Sequence, residues 1–186
     1  RIWVSRAWVN TTPEMNRLLA LDAQWSQRIR VAEKPGILRT LAAVLAHSGD
    51  SWFWLLGLIV LYAAGDAYWR WRALVLAIGI VVTAILVMIV KFTVRRRRPE
   101  GEWGEFYRKS DPHSFPSGHA VRAMMLAVVV SGLGPCWLAL LLVIWAPLVA
   151  LARVAMGVHY LSDVLAGMVM GVVMGISVGL VFGLLR

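Results

Sequence analysis

Read for hydrophobic and polar positions alone, the chain is a series of apolar runs parted by short polar breaks. Ser51 to Trp69, Arg72 to Val94, His119 to Gly132, Trp137 to Ala152 and His159 to Leu185 are the main runs. Several approach or exceed the roughly 17–25 residues with which a helix crosses a bilayer. None alternates residue by residue, as a barrel strand would. The expected fold is all-α: an integral membrane helical bundle with about five transmembrane helices. The first two runs are joined by a very short loop and are expected to be antiparallel neighbours. Gly134-Pro135 is expected to be a tight turn, and Pro147 to kink the fourth run.

The polar breaks divide the N-terminal part differently. Thr12 is a plausible helix cap and Pro13 suits the first helical position. From there to Lys34, Met15, Leu18, Leu19, Leu21, Trp25 and Ile29 fall mostly on one side of a helix. Arg17, Asp22, Arg28 and Arg30 fall on the other. This pattern fits an amphipathic helix lying in the membrane interface, or equally one packed on the rest of the domain. Pro35-Gly36 breaks it, and Ile37 to Ala46 forms a second short helix. His47 is read as a helix-end residue. Residues 12–47 are thus interfacial, 50–186 form the transmembrane core, and 1–186 make one domain.

Composition supports the membrane assignment. Of the 186 residues, 60% are hydrophobic and the mean hydropathy is +0.71, whereas soluble domains run about 45–50% apolar. The net charge of +9 would suggest nucleic acid in a soluble protein. Here the basic residues flank apolar runs, where anionic headgroups lie, so no nucleic-acid partner is expected. Trp52, Trp54, Trp69, Trp71, Trp103 and Trp137 lie near run ends, as interfacial belts require. The single cysteine, Cys136, excludes an intrachain disulfide. Arg1 to Thr12 is too polar for a signal-peptide core.

Polar residues at membrane helix ends are costly unless they face an aqueous cavity or do chemistry. Three such groups stand out, within 91–119 and 153–163. Lys91 precedes Arg98, Ser117-Gly118-His119 opens the third run, and Arg153 precedes His159 and Asp163. An even-odd count over five spans puts all three on one membrane face. Arg98 and Arg153 offer planar forks matched to phosphate oxygens, and Lys91 adds a point charge. Ser117 adds a hydroxyl, and the amides around Gly118 form an anion site at a helix start.

Asp163, four residues after His159, is expected to share its helical face and fix its tautomer. His159 can then attack phosphorus, while His119 protonates the leaving oxygen. The three cations do what a metal ion does elsewhere, so no metal or other cofactor is expected. A metal site from His113, His119 and His159 lacks tight ligand spacing. Arg95, Arg96 and Arg97 are expected to meet headgroups. Asp111 and His113 stand outside the main set. The polar stretch from Glu100 to Ser114 is read as a solvated loop, with a lid as the alternative.

These residues, in this order and spacing, resemble the type 2 phosphatidic acid phosphatase family. The resemblance implies a metal-independent lipid phosphatase with a helical core. It implies His159 as nucleophile, Asp163 as its partner and His119 as acid, with Lys91, Arg98, Ser117, Gly118 and Arg153 binding phosphate. Ala152 stands where the family usually has Ser before the third-motif Arg. Soluble members bind vanadate as haloperoxidases, a role the five spans argue against.

The expected substrate is a membrane lipid phosphate or diphosphate of the polyprenyl, phosphatidylglycerophosphate or phosphatidate type. The resemblance also favours a bacterial cytoplasmic membrane with the site on its extracytoplasmic face. Two alternatives stay open: phosphotransfer from lipid to an acceptor at the same site, and a non-catalytic lipid-binding or transport protein. Gly167, Gly171, Gly175, Gly179 and Gly183 recur every fourth residue. Such a row allows close helix approach, within the chain or in a homodimer.

Overall fold

A computed structural model describes residues 12–108, 111–133 and 135–183. The polar N-terminal stretch 1–11, positions 109–110 of the polar loop, Gly134 of the expected turn and the last three residues lie outside it. The described residues form eight helices and no strand. They are α1 (Pro13–Ile29), α2 (Ile37–Ser48), α3 (Ser51–Ala64), α4 (Ala67–Val94), α5 (Glu102–Arg108), α6 (Gly118–Leu133), α7 (Cys136–Ala155) and α8 (Leu161–Val181).

Among the described residues, α4, α7 and α8 are long and apolar enough to cross a membrane, and α2 with α3 passes together across a 51° bend. The 16-residue α6 is shorter. It is also the most enclosed helix. Val121 is fully buried, and so are Ala123, Met125 and Leu126, the latter three in a core that also takes Val75, Ile80, Val149 and Val178. Lipid-facing positions on α3, α4, α7 and α8, such as Ile59, Ile85, Leu140 and Val169, stay exposed. The inverted burial follows from a solvent as apolar as the side chains themselves.

Gly167, Gly171 and Gly175 of the glycine row pack inside the chain, whereas a Cβ at Gly183 would meet nothing within 4 Å. A Cβ at Gly167 would stand 2.9 Å from the Ser117 carbonyl oxygen, and one at Gly175 would stand 2.6 Å from Val128 Cβ. Backbone-to-backbone contact between α6 and α8 therefore depends on these positions having no side chain.

Several expected boundaries shift. The break between the first two apolar runs falls at Gly65-Asp66, not near Arg70. Asp66 accepts a hydrogen bond from the Trp69 amide at 3.0 Å and caps α4, so Trp69 and Arg70 belong to the second long helix. Pro147 lies inside α7, which continues through it. The stretch Glu100 to Ser114 is not all loop, because it contains α5. His159 does not open the last helix; α8 starts two residues later, at Leu161.

The α1 helix starts as expected, with Thr12 accepting from the Met15 amide at 3.4 Å. Its apolar residues Leu18, Leu21 and Trp25 face outward, while Asp22 and Ser26 face the protein. That is the polarity of a helix lying between lipid and protein rather than between water and core.

Candidate functional site

Five helix ends meet at one rim: the starts of α3, α6 and α8 and the ends of α4 and α7. Lys91 lies in the last turn of α4 and is buried. The chain leaves that helix through Arg95 in a left-handed conformation, φ 52°. The turn sends Arg98 back over the bundle, where it too is buried. Its Nε donates to the Asp111 carbonyl at 2.7 Å and one terminal nitrogen to the Asp111 carboxylate at 2.7 Å. Lys91 Nζ binds the same carboxylate oxygen. Asp111, outside the main expected set, thus sits on two cations the motif offers to phosphate.

The other Arg98 terminal nitrogen donates to the Val158 carbonyl and lies 3.0 Å from His159 Nε2. His159 is fully buried in the turn between α7 and α8. Gly157, at φ +70°, lets that turn adopt a conformation side chains disfavour. Burial first, then the charges of Arg98, Arg153 and Lys91, hold the imidazole well below its ordinary pKa of 6.5. The ring is therefore neutral at physiological pH, with a lone pair at Nε2 if Nδ1 carries the proton.

The reason expected for the His159–Asp163 pairing needs correction. His159 precedes α8, so no shared helical face aligns the two. The turn brings Nδ1 to 3.5 Å from Asp163 Oδ2, longer than a hydrogen bond but within range of tightening on substrate binding. The same oxygen accepts from the Tyr160 amide at 2.9 Å. Asp163 Oδ1 accepts from Arg96 at 2.8 Å. Arg96, expected at headgroups, instead turns inward, with a side chain only 12% exposed. Arg95 and Arg97 stay exposed.

His119 lies in the first turn of α6. Its Nε2 is 2.7 Å from Asp50, which precedes α3 and also holds His47 Nδ1 at 3.0 Å. Arg122, one turn along α6 and buried, donates twice to the Gly49 carbonyl at 2.8 and 2.5 Å. It thereby pins the turn that carries Asp50. With Nε2 engaged, Nδ1 is the His119 nitrogen left for a ligand. Neither Asp50 nor Arg122 stood out in the sequence; both are polar residues at the edge of apolar runs, a signal shared with many headgroup contacts.

Ser117 is fully buried and its hydroxyl has no protein partner; its amide donates to the Asp163 carbonyl at 3.0 Å. Gly118 opens α6, leaving its backbone uncovered by a side chain. Arg153 is buried in the last turn of α7, near enough to weigh on His159. Ala152 packs in an apolar cluster with Ala42, Ala46 and Met156, so a serine there would point its hydroxyl among apolar groups. Among the described residues no three His, Cys, Asp or Glu side chains converge as metal ligands. His113 lies edge-on to Phe92, with ring centroids 5.6 Å apart.

The assembly is a neutral imidazole, a second imidazole backed by a carboxylate, buried cations and a buried hydroxyl, gathered at one rim. It can bind a phosphoryl group and accept it on nitrogen.

A family model described as the PAP2 superfamily matches residues 70–184. Decaprenylphosphoryl-5-phosphoribose phosphatase of Mycobacterium tuberculosis is 32% identical over 139 residues, 74% of this chain and 76% of that protein. Phosphatidylglycerophosphatase B of Bacillus subtilis is 27% identical over 164 residues, covering 82% and 78%. The crystal structure of the transmembrane PAP2-type phosphatidylglycerolphosphate phosphatase of Bacillus subtilis superposes with a TM-score of 0.75 at 22% identity, over 97% of this chain and 91% of that one. Aquifex aeolicus LpxE superposes with a TM-score of 0.68 at 25% identity, over 85% and 94%.

Proposed function

The chain belongs to the PAP2 superfamily and is a lipid phosphatase, and from that premise we propose that it hydrolyses a membrane lipid phosphate or diphosphate through a phosphohistidine on His159. The observation that supports this reading best is the Arg98 fork. One of its nitrogens touches the His159 Nε2 lone pair, and the other, with Lys91, grips an oxyanion. A phosphoryl group replacing the Asp111 carboxylate there would lie beside the nucleophile.

Neutral Nε2 attacks phosphorus and forms the N–P bond as the P–O bond to the leaving oxygen, ester or anhydride, breaks. Asp163 stabilises the positive charge that develops on the ring. Lys91, Arg98, Arg153, the Ser117 hydroxyl and the Gly118 backbone hold the equatorial oxygens, whose charge grows in the transition state. His119 gives its proton to the leaving oxygen. In the second half it takes a proton from water, which attacks phosphorus and frees His159 and inorganic phosphate.

Two observations support the substrate class: the relatives are named for polyprenyl-linked and phosphatidylglycerol phosphates, and the site lies at helix ends. A headgroup there meets the cations while its chains stay in lipid. We read α3, α4, α6, α7 and α8 as five crossings, with the site on the extracytoplasmic face of a bacterial cytoplasmic membrane.

Phosphate release from a panel of purified lipid phosphates, with chelator present, tests the reading. His159→Ala should abolish release, and wild-type enzyme quenched in alkaline denaturant should carry an alkali-stable phosphoryl group that acid removes. Release that survives His159→Ala would sink it. Label recovered on a lipid acceptor instead of free phosphate would make the enzyme a transferase.

A further inference from the structure

Asp163 finds its charge partner in Arg96, a residue between Lys91 and Arg98 expected at headgroups. Asp163 is wholly buried, and a buried carboxylate needs a paired cation. His159 is neutral before attack, so the cation is Arg96. One Arg96 terminal nitrogen donates to Asp163 Oδ1 at 2.8 Å and to Ser162 Oγ at 2.6 Å. The other donates to Asp22 Oδ2 on α1 at 2.6 Å. Asp22 in turn accepts from the Ser162 amide at 2.9 Å and from its hydroxyl at 2.5 Å. The Asp22 and Arg96 side chains are only 13% and 12% exposed.

The geometry gives this chain of contacts a consequence for the reacting ring. A carboxylate is planar, so holding Oδ1 sets where Oδ2 points, and Oδ2 is the atom facing His159 Nδ1. Asp22 is the acceptor for the second nitrogen of the Arg96 fork, whose guanidinium also stacks on the Tyr160 ring, 4.1 Å from its centroid. The two carboxylates and one guanidinium carry a net single negative charge, which complements the positive charge arising on the imidazole during attack. Asp22 lies on α1, outside the matched residues 70–184. The outer face of α1 shows Leu18 and Trp25, 61% and 52% exposed.

Resting on the His159 nucleophile reading above, we propose that Asp22 and Arg96 are positioning residues for the reaction, and that α1 thereby completes the active site from the membrane interface. Loss of either leaves the phosphate cradle of Lys91 and Arg98 intact but misaligns the imidazole. Small misplacements of a reacting group cost up to about 10²-fold in rate.

The test compares Asp22→Asn, Arg96→Gln, Arg96→Lys and the double variant Asp22→Asn/Arg96→Gln, assayed per folded, monodisperse enzyme on the best lipid phosphate. Ser26→Ala is the control: Ser26 also ties α1 to α8, through the Leu161 amide at 2.8 Å, and bonds the Asp22 backbone carbonyl at 2.7 Å, but none of its contacts is to the Asp22 carboxylate, Arg96 or Asp163. Expected are kcat losses of about 10–10²-fold in the first two, with KM and the inhibition constant of inorganic phosphate within about threefold. The double variant should be no worse than Arg96→Gln alone, since both act on one contact. Arg96→Lys should recover part of the rate. Ser26→Ala should keep wild-type kcat while melting earlier.

Wild-type kcat in Asp22→Asn, fully additive losses, phosphate affinity falling in step with kcat, or an equal kcat loss in Ser26→Ala would each overturn the proposal. If a variant folds too poorly to assay, Arg96→Lys and the phosphate inhibition constant still decide. His159→Ala separates the two levels: turnover without His159 removes the nucleophile itself, whereas an inert His159→Ala beside a fully active Asp22→Asn removes only the role of α1.

Discussion

The two imidazoles at the rim have different polar neighbours. His159 lies against the Arg98 guanidinium and is held neutral, while His119 hydrogen-bonds Asp50. The pH dependence follows from the first. Burial and the nearby charges lower the His159 pKa well below 6.5, so the neutral, attacking form persists as pH falls through that value. The acid limb of kcat/KM, corrected for the phosphate second ionisation near about 6, should therefore lie below that of an ordinary histidine. A His159-dependent limb at 6.5 or above would contradict the enclosure.

The second imidazole predicts a leaving-group effect. Asp50→Asn weakens the contact that orients His119. Proton donation matters most for a poor leaving group, and a general acid contributes about 10²–10⁴-fold. Hydrolysis of an alkyl lipid monoester should fall by about 10²-fold, and that of p-nitrophenyl phosphate much less. Equal losses on both substrates would mean that Asp50 acts on folding or binding instead.

At the scale of elements, the closest approach is between α6 and α8, and it sets a stability prediction. A Cβ on Gly171 would run into the Val121 carbonyl and stand 2.8 Å from Met124 Cβ. Gly171→Ala should cost about 1–3 kcal/mol by overpacking. Gly57, on α3, has nothing within 4 Å of the same position. Gly57→Ala should be neutral or up to about 1 kcal/mol stabilising, because alanine favours helix. Thermal unfolding of the two variants in one detergent checks both.

Element identity was legible in the chain because length and hydropathy dominate helices in lipid. Boundaries were less so where capping decides. Asp66 accepting from Trp69 moved one helix start by several residues, and the turn at Gly157 moved another past His159. The motif residues Lys91, Arg98, His119, His159 and Asp163 could be found because charge at the end of an apolar run is expensive. Asp22, Asp50, Arg96 and Arg122 carry the same local signal as any interfacial charge. What distinguishes them is a partner 67 to 74 residues away for Arg96, 69 for Asp50 and 73 for Arg122, which only the closed bundle supplies.

For the whole molecule, the alternation of helices places Cys136 and Arg153 at opposite ends of the 20-residue α7, about 30 Å at helical rise. Cys136 is exposed and is the sole cysteine, so the native chain carries its own topology label. If the site is extracytoplasmic, as proposed, a membrane-impermeant maleimide should leave Cys136 unmodified in intact cells and label it after permeabilisation. Labelling in intact cells would put the site on the cytoplasmic side.

The carboxylate of Asp111 gives the rim a resting occupant. On the proposed reaction, Lys91 and Arg98 are not left bare between cycles, because a counter-ion tethered to the loop stands ready as phosphate departs. Substrate must outcompete that tether, which weakens the grip on every phosphate alike. Product meets the same rival on its way out. Speed of clearance is thus purchased with affinity, a fair exchange for an enzyme whose substrate arrives concentrated in the plane of a membrane while its product diffuses into water.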